Sequence, residues 1–98
     1  MKSIIDFPEN RCAVCGRSRD LETHHIMYGM ANRRLADKDG LVCKLCWPCH
    51  RGQNGVHGGS ERSHQIDAQL KEAAQYAWMK HYGKSEKDFI ERYGRNYI

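Results

Sequence analysis

The stretch Cys43–Arg51, with the sequence CKLCWPCHR, carries most of the information about the fold of this chain. It holds three cysteines at three-residue intervals and a histidine directly after the last of them. An earlier pair, Cys12 and Cys15, has the same spacing in the sequence CAVC. Two thiolates at this spacing can bind one metal ion while backbone N–H groups of the turn bond to the sulfurs. Two such pairs in a small chain predict a closed four-cysteine zinc site.

The spacing leaves the second pair open, because Cys43/Cys46 and Cys46/Cys49 are both separated by two residues. The alternatives to zinc are weaker. Buried thiols without a metal are unusual in such number, and an iron–sulfur cluster of the bacterial ferredoxin type needs a further cysteine where Gln53 stands. An odd number of cysteines, five, also argues against a disulfide framework.

Length and pattern together predict one small α+β domain over residues 1–98. We expect residues 1–59 to form a zinc-stapled core and residues 60–98 to form a helical extension that packs on that core. Within the core we expect a strand over residues 21–28, a loop, and a second strand over residues 40–44. A short helix follows near Trp47-Pro48, since proline is tolerated in a first helical turn.

The extension begins with a helix over residues 60–82. Ser60 or Ser63 can cap its start, and Gly83 can end it. His64 is assigned a structural role on this helix, as is His81. The stripe of side chains at three- and four-residue intervals that predicts the helix consists of Ile66, Leu70, Ala73, Ala74, Ala77 and His81.

A second helix is predicted from a capping-box pattern. Ser85 and Asp88 have the required spacing, and the helix runs through Tyr93 until Gly94 stops it. We expect these two C-terminal helices to cover one face of the metal-rich core.

Charge and hydropathy bear on partners and location. No signal peptide is recognisable, and no segment approaches the roughly 20 apolar residues of a membrane span. We therefore expect a cytoplasmic protein without membrane association, in a compartment where thiols stay reduced. The 16 Lys and Arg against 12 Asp and Glu give a net charge of +4, which is compatible with a polyanionic partner without proving one.

Four histidines within residues 1–59 form the second notable pattern. Histidine is the commonest metal ligand and the side chain best suited to act as a base near neutral pH. Two of them are adjacent, one directly follows the last cysteine, and one lies between glycines; they are His24, His25, His50 and His57.

With the cysteines, these residues resemble the HNH endonuclease family, the zinc-stapled ββα-metal nucleases. The resemblance rests on CxxC at Cys12–Cys15, ETHHI at Glu22–Ile26 and LCxxCHR at Leu45–Arg51. The strings at residues 28–35, 55–57 and 89–98 are similar to small HNH-like proteins encoded by phages and prophages, which implies a bacterium or phage-infected host cell.

The resemblance implies a role for each residue of the motif. His24 and His50 would bind a catalytic divalent metal, and His25 would be the general base. Two or three imidazoles favour a transition metal, so the candidates are Mn2+, Ni2+ and Zn2+, with Mg2+ if water and phosphate complete its shell. The resemblance also leaves Cys43 spare and selects as ligands of the structural zinc Cys12, Cys15, Cys46 and Cys49.

One position departs from the family pattern. Asp39-Gly-Leu41 stands where the family has its middle Asn, whose task is to brace the loop that carries the base. Asn32 is our candidate for that task; if no residue performs it, the site would be slow or inactive. His57 is either a third metal ligand or a phosphate contact, and the flanking glycines allow the close turn that a ligand needs.

The function implied is metal-dependent hydrolysis of DNA phosphodiester bonds. Arg33, Arg34 and Arg51 are candidates for contacts to the DNA backbone, because guanidinium groups match phosphate oxygens. The alternative is a non-catalytic zinc module that binds DNA or a protein, which the departure at the middle Asn favours. A zinc hydrolase acting on another substrate is less favoured, since the chain has no HExxH motif.

Overall fold

A computed structural model describes residues 3–98 of the chain. This part contains four helices and one two-stranded antiparallel sheet, so the predicted α+β class is confirmed. Within the same residues, no helix combines the length and the apolarity needed to cross a membrane. In chain order, the elements are β1 (Leu21–His25), α1 (Met30–Asp39), β2 (Val42–Cys46), α2 (Trp47–Arg51), α3 (Glu61–Tyr82) and α4 (Glu86–Tyr93).

The segment between the strands forms a helix, α1, so the prediction of a loop there was wrong. Its sequence MANRRLADKD is rich in helix-forming residues, but it has too few apolar residues for a clear periodic signal. Gly40 ends the helix in the left-handed conformation, with a φ of 80°. A tertiary contact fixes α1 on the fold, because Asn32 Nδ2 donates a hydrogen bond to the carbonyl of Tyr93 over 3.1 Å.

Both strands lie where the sequence predicted strands, but their ends differ. β1 ends at His25 and not at Tyr28, because the pairing with β2 stops at His25 and Val42; the two residues that follow, Ile26 and Met27, are buried in the core. β2 begins at Val42 instead of Gly40, since Gly40 belongs to the end of α1. It continues to Cys46, which is also the N-cap of α2.

The sheet register decides which side chains share a face. His24 lies opposite Cys43 and Glu22 opposite Leu45, and cross-strand partners project to the same side of a sheet. α2 starts directly after β2 with its proline in the first turn, as predicted, and contacts both strands. His50 of α2 is thereby brought next to Glu22 and His24.

Helix α3 begins and ends where the sequence predicted. Ser60 caps α3 by accepting a hydrogen bond from the Ser63 N–H over 3.1 Å, and Gly83 ends the helix in the left-handed conformation. His81 is exposed and does not belong to the buried stripe, and His64 is exposed as well. The apolar side chains that α3 does bury are Ile66, Leu70, Ala74 and Trp78.

α4 has the predicted capping box. The Ser85 N–H donates to Asp88 Oδ2 over 3.0 Å, and the Asp88 N–H donates to Ser85 Oγ over 3.1 Å. Gly94 ends the helix in the left-handed region, with a φ of 85°.

A buried carboxylate, Asp39, joins α1 to the two C-terminal helices. Its oxygens accept hydrogen bonds from Trp78 Nε1 at 2.9 Å, from the Tyr93 hydroxyl at 2.7 Å and from two guanidinium nitrogens of Arg92 at 2.6 and 2.8 Å. Burial alone would raise the pKa of Asp39, but these hydrogen bonds outweigh it and hold the pKa below its usual value. The side chain of Asp39, where the resemblance to HNH nucleases predicted an Asn, is therefore fully engaged in the core.

Candidate metal centres

Four sulfur atoms meet at the junction of β2 and α2. The turn that carries Cys12 and Cys15, here called the N-terminal knuckle, packs on this junction. All four sulfur atoms lie within 4.8 Å of one another, and the Sγ atoms of Cys15 and Cys46 are 3.5 Å apart. Sulfurs around a tetrahedral zinc, with Zn–S of about 2.3 Å, are separated by about 3.8 Å. The arrangement is therefore compatible with a structural metal such as zinc. This cysteine site consists of Cys12, Cys15, Cys46 and Cys49.

Backbone groups of the knuckle favour a thiolate. The Cys15 N–H donates to Cys12 Sγ over 3.5 Å. Burial raises the pKa of Cys12, but backbone N–H groups of Cys15, Cys46 and Val14 outweigh it and lower the pKa to about 6. Burial and the neighbouring sulfurs of Cys46 and Cys15 raise the pKa of Cys49. A divalent cation bound among the four sulfurs stabilises the thiolate form at each of them.

Cys43 lies outside the cysteine site. It is buried in the sheet opposite His24, and burial and the nearby Cys12 raise its pKa to about 12. A thiol of this kind stays protonated and packs as a small apolar side chain. Of the two pairs that the spacing allowed, the structure brings Cys46 and Cys49 to the earlier knuckle.

Three imidazoles form a second cluster, the histidine site, made up of His24, His50 and His57. Their ring centroids are 5.0 to 5.2 Å apart, and one nitrogen of each ring lies within 4.8 Å of the others. His24 is 1% exposed, and its Nε2 has no hydrogen-bond partner among the described residues. Because a buried polar atom without a partner costs stability, this geometry fits a metal ion that accepts the nitrogen lone pair.

The electrostatics of the histidine site suit a metal as well. Burial, together with His50 and His57, lowers the pKa of His24 to about 3. Burial and His50 also lower the pKa of His57. Both rings are therefore held in the neutral form, which is the form that coordinates a metal.

Glu22 supports the histidine site, although the sequence pattern gave it no role. Its Oε1 lies 2.7 Å from His50 Nδ1 and accepts a hydrogen bond from Arg51 Nε over 2.9 Å. The hydrogen bond from His50, followed by that from Arg51, lowers the pKa of Glu22 and keeps it ionised. A carboxylate that accepts from Nδ1 orients the ring and leaves Nε2 for a metal. Glu22 and His24 are two residues apart on one strand, and this spacing indicates that their side chains lie on the same face of the sheet.

A tight loop presents His57 to the cluster. Its backbone N–H donates to the carbonyl of His50 over 3.3 Å. A Cβ at Gly55 would lie 2.6 Å from the carbonyl oxygen of Pro48, so only glycine permits this approach of the loop to α2. The ring of Tyr28 lies 5.1 Å from the His57 ring and closes one side of the site.

The histidine site opens onto a cavity of about 460 Å3. His25, Arg33 and Arg51 line this cavity together with the three clustered histidines. His25 and Arg33 also border a groove of about 900 Å3, the α1 groove, which is lined further by Tyr28, Gly29, Met30, Arg34, Asp37 and Lys38.

The structure also shows what surrounds His25. Its Nε2 lies 2.9 Å from Asp37 Oδ1 on α1, a residue that sequence reasoning missed because the segment was predicted as a loop. Asn32, the candidate for bracing the loop that carries the base, donates a hydrogen bond to the carbonyl of Tyr93 at the end of α4. This hydrogen bond anchors α1 to the end of α4.

Comparisons with protein-family models, curated proteins and solved structures found no match for this chain.

Proposed function

We propose that the protein is a metal-dependent DNA endonuclease of the HNH type. One divalent metal would bind to His24, His50 and His57, and His25 would be the general base. The observation that carries the proposal is the meeting of three clustered imidazoles and a fourth histidine at one open cavity. A module built only around the cysteine site has no use for this second set of donors.

The donor set restricts the metal. Three imidazole nitrogens favour a transition metal such as Mn2+, Ni2+ or Zn2+, whereas Mg2+ prefers oxygen ligands. Three protein ligands also leave coordination positions for substrate. When bound, such a metal supplies Lewis-acid stabilisation of the phosphate and of the departing oxygen.

Hydrolysis of a phosphodiester requires a base at the attacking water. As the water oxygen bonds to phosphorus and the bond from phosphorus to the 3′-oxygen breaks, His25 accepts the proton that the water loses. The ring suits this task because it lies at the wall between the cavity and the α1 groove, next to the metal donors.

The charged residues around the cavity support a polyanionic substrate. Arg33 and Arg51 line the cavity, and Arg34 and Lys38 extend the positive charge along the α1 groove. The Nε–H of Arg51 already donates to Glu22, so only the terminal nitrogens of its guanidinium group would contact phosphate. Salt-sensitive contacts to the phosphate backbone would hold DNA against this surface.

One observation favours a second candidate, a non-catalytic zinc module that binds DNA. Asp39 occupies the place of the family's middle Asn, and Trp78, Arg92 and Tyr93 hold it in the core. It is therefore not free to support a base, and the site would need another residue for that task.

Substitution of His25 separates the two candidates. We expect His25→Ala to keep its fold, zinc and DNA affinity but to cleave supercoiled plasmid roughly 100- to 10,000-fold more slowly, which is the usual loss for a general base. His81→Ala is the matched control, since this histidine is exposed on α3. Equal activity of His25→Ala and wild type would place the chemistry elsewhere. Wild type that binds but never cuts DNA with Mg2+, Mn2+, Ni2+ or Zn2+ would favour the non-catalytic module.

A further inference from the structure

We propose that Asp37 is a positioning residue that holds His25 in a single tautomer, an inference that rests on the proposed role of His25 as the base. The contact that supports it is the 2.9 Å separation between His25 Nε2 and Asp37 Oδ1. The His25 side chain is largely buried, while that of Asp37 is half exposed and lines the α1 groove.

The chemistry of the pair fixes the position of the proton. An ionised carboxylate only accepts hydrogen bonds, so the neutral His25 ring must carry its hydrogen on Nε2. Nδ1 then holds the lone pair and is the ring atom that can take a proton from water. The opposite tautomer would put two acceptors 2.9 Å apart and is disfavoured.

α1 holds Asp37 firmly because contacts anchor the helix on both sides of this residue. Asn32 bonds to the carbonyl of Tyr93, and Asp39 is fixed by the side chains of Trp78 and Tyr93. The helix also packs against β1, the strand that ends with His25. Asp37 thus contacts the ring of the proposed base itself, whereas Asn32 anchors the helix that carries Asp37.

The first test uses cleavage of supercoiled plasmid by the full-length, metal-loaded protein. We expect Asp37→Ala to lower kcat roughly tenfold or more with little change in KM, because a positioning residue acts through the base. Asp37→Asn should restore part of the loss, since its amide oxygen can still accept from Nε2. Glu72→Ala, which removes an exposed carboxylate from α3, should match wild type.

A double substitution distinguishes action through His25 from an independent effect. In the His25→Ala background, Asp37→Ala should add no further loss of activity, because its partner is already absent. A full additional loss would overturn the proposal, as would an Asp37→Ala variant with wild-type kcat.

The second test does not depend on cleavage. Long-range proton–nitrogen NMR correlations of the zinc-loaded protein should show His25 with its hydrogen on Nε2, and Asp37→Ala should shift the ring to a mixture of tautomers. A wild-type ring protonated on Nδ1, or a ring unchanged by Asp37→Ala, would refute the role of Asp37. The expected NMR result in a protein that never cuts DNA would instead keep the Asp37 inference and reject the nuclease.

Discussion

The two candidate metal centres of this molecule differ in the number of their donors and in what lies beside them. The cysteine site brings four sulfurs together, of which those of Cys12 and Cys46 are buried and that of Cys15 is exposed, and backbone N–H groups bond to the Cys12 sulfur. The histidine site opens instead onto a cavity that is also lined by Arg33 and Arg51. A closed four-donor site serves stability, whereas a three-donor site with an open side can admit a substrate. If the proposed function holds, the comparison separates a structural role from a chemical one within a single small chain.

Helix α2 also links the two centres, and we expect the loss of one to affect the other unequally. Cys49 and His50 are consecutive residues of this short helix, so binding of zinc to the first orients the second. We therefore expect loss of the cysteine site to destroy the histidine site, whereas loss of the histidine site should leave the zinc in place. Single substitutions in and around each centre test this asymmetry.

The largest effect is expected from Cys46→Ser. Zinc binding contributes about 10–16 kcal/mol in small zinc-dependent domains, so loss of one ligand should unfold the domain and release its single tightly bound zinc. Circular dichroism and metal analysis of the purified protein would measure both.

Cys43→Ser provides the matched control, because Cys43 is a buried cysteine that lies outside the cluster. It should keep its zinc and be only modestly less stable. If Cys43→Ser lost the zinc while Cys49→Ser kept it, Cys43 and not Cys49 would be the fourth ligand of the cysteine site.

The features that could be predicted from the sequence are those encoded by adjacent residues. The CxxC knuckles, the Ser60 cap of α3 and the capping box at Ser85 each depend on side chains that contact backbone within a few residues. Their spacing therefore carries the information. The pair of strands also followed from local pattern, with ends displaced by a few residues.

The features that were missed depend on contacts between distant parts of the chain. α1 has a weak apolar pattern, and it is held by Asp39, whose partners Trp78 and Arg92 come from α3 and α4. Without α1, no spacing rule links Asp37 to His25. The choice between Cys43 and Cys49 as a zinc ligand likewise required the three-dimensional structure, because both have the same separation from Cys46 in the sequence.

A smaller effect is expected from His50→Ala, which should abolish saturable binding of the second metal while the zinc and the fold remain. The residue removed is one of three donors of the histidine site, and Glu22 keeps Arg51 as a partner. Calorimetric titration of Ni2+ into the zinc-loaded protein would measure the second site. His64→Ala, at an exposed position of α3, is the control. Unchanged Ni2+ binding by His50→Ala would remove the basis for a second metal centre.

The smallest effect that still separates the two centres is expected from Glu22→Gln. Glu22 does not belong to either ligand set; it acts on His50, whose Nδ1 lies 2.7 Å from its Oε1. Glutamine keeps the size of the side chain but loses the negative charge that orients the ring and raises the basicity of its other nitrogen. Loss of such a partner typically weakens metal affinity about 10- to 100-fold. The same Ni2+ titration should therefore show a weaker second site.

The zinc content of Glu22→Gln should equal that of wild type, because the carboxylate has no part in the cysteine site. Glu72→Gln, on the exposed face of α3, controls for the loss of one negative charge. An equal loss of Ni2+ affinity in Glu72→Gln would assign the effect to general electrostatics. If Glu22→Gln lost zinc and nickel together, the two centres would be coupled in both directions, and the contrast between a closed structural site and an open one would fail.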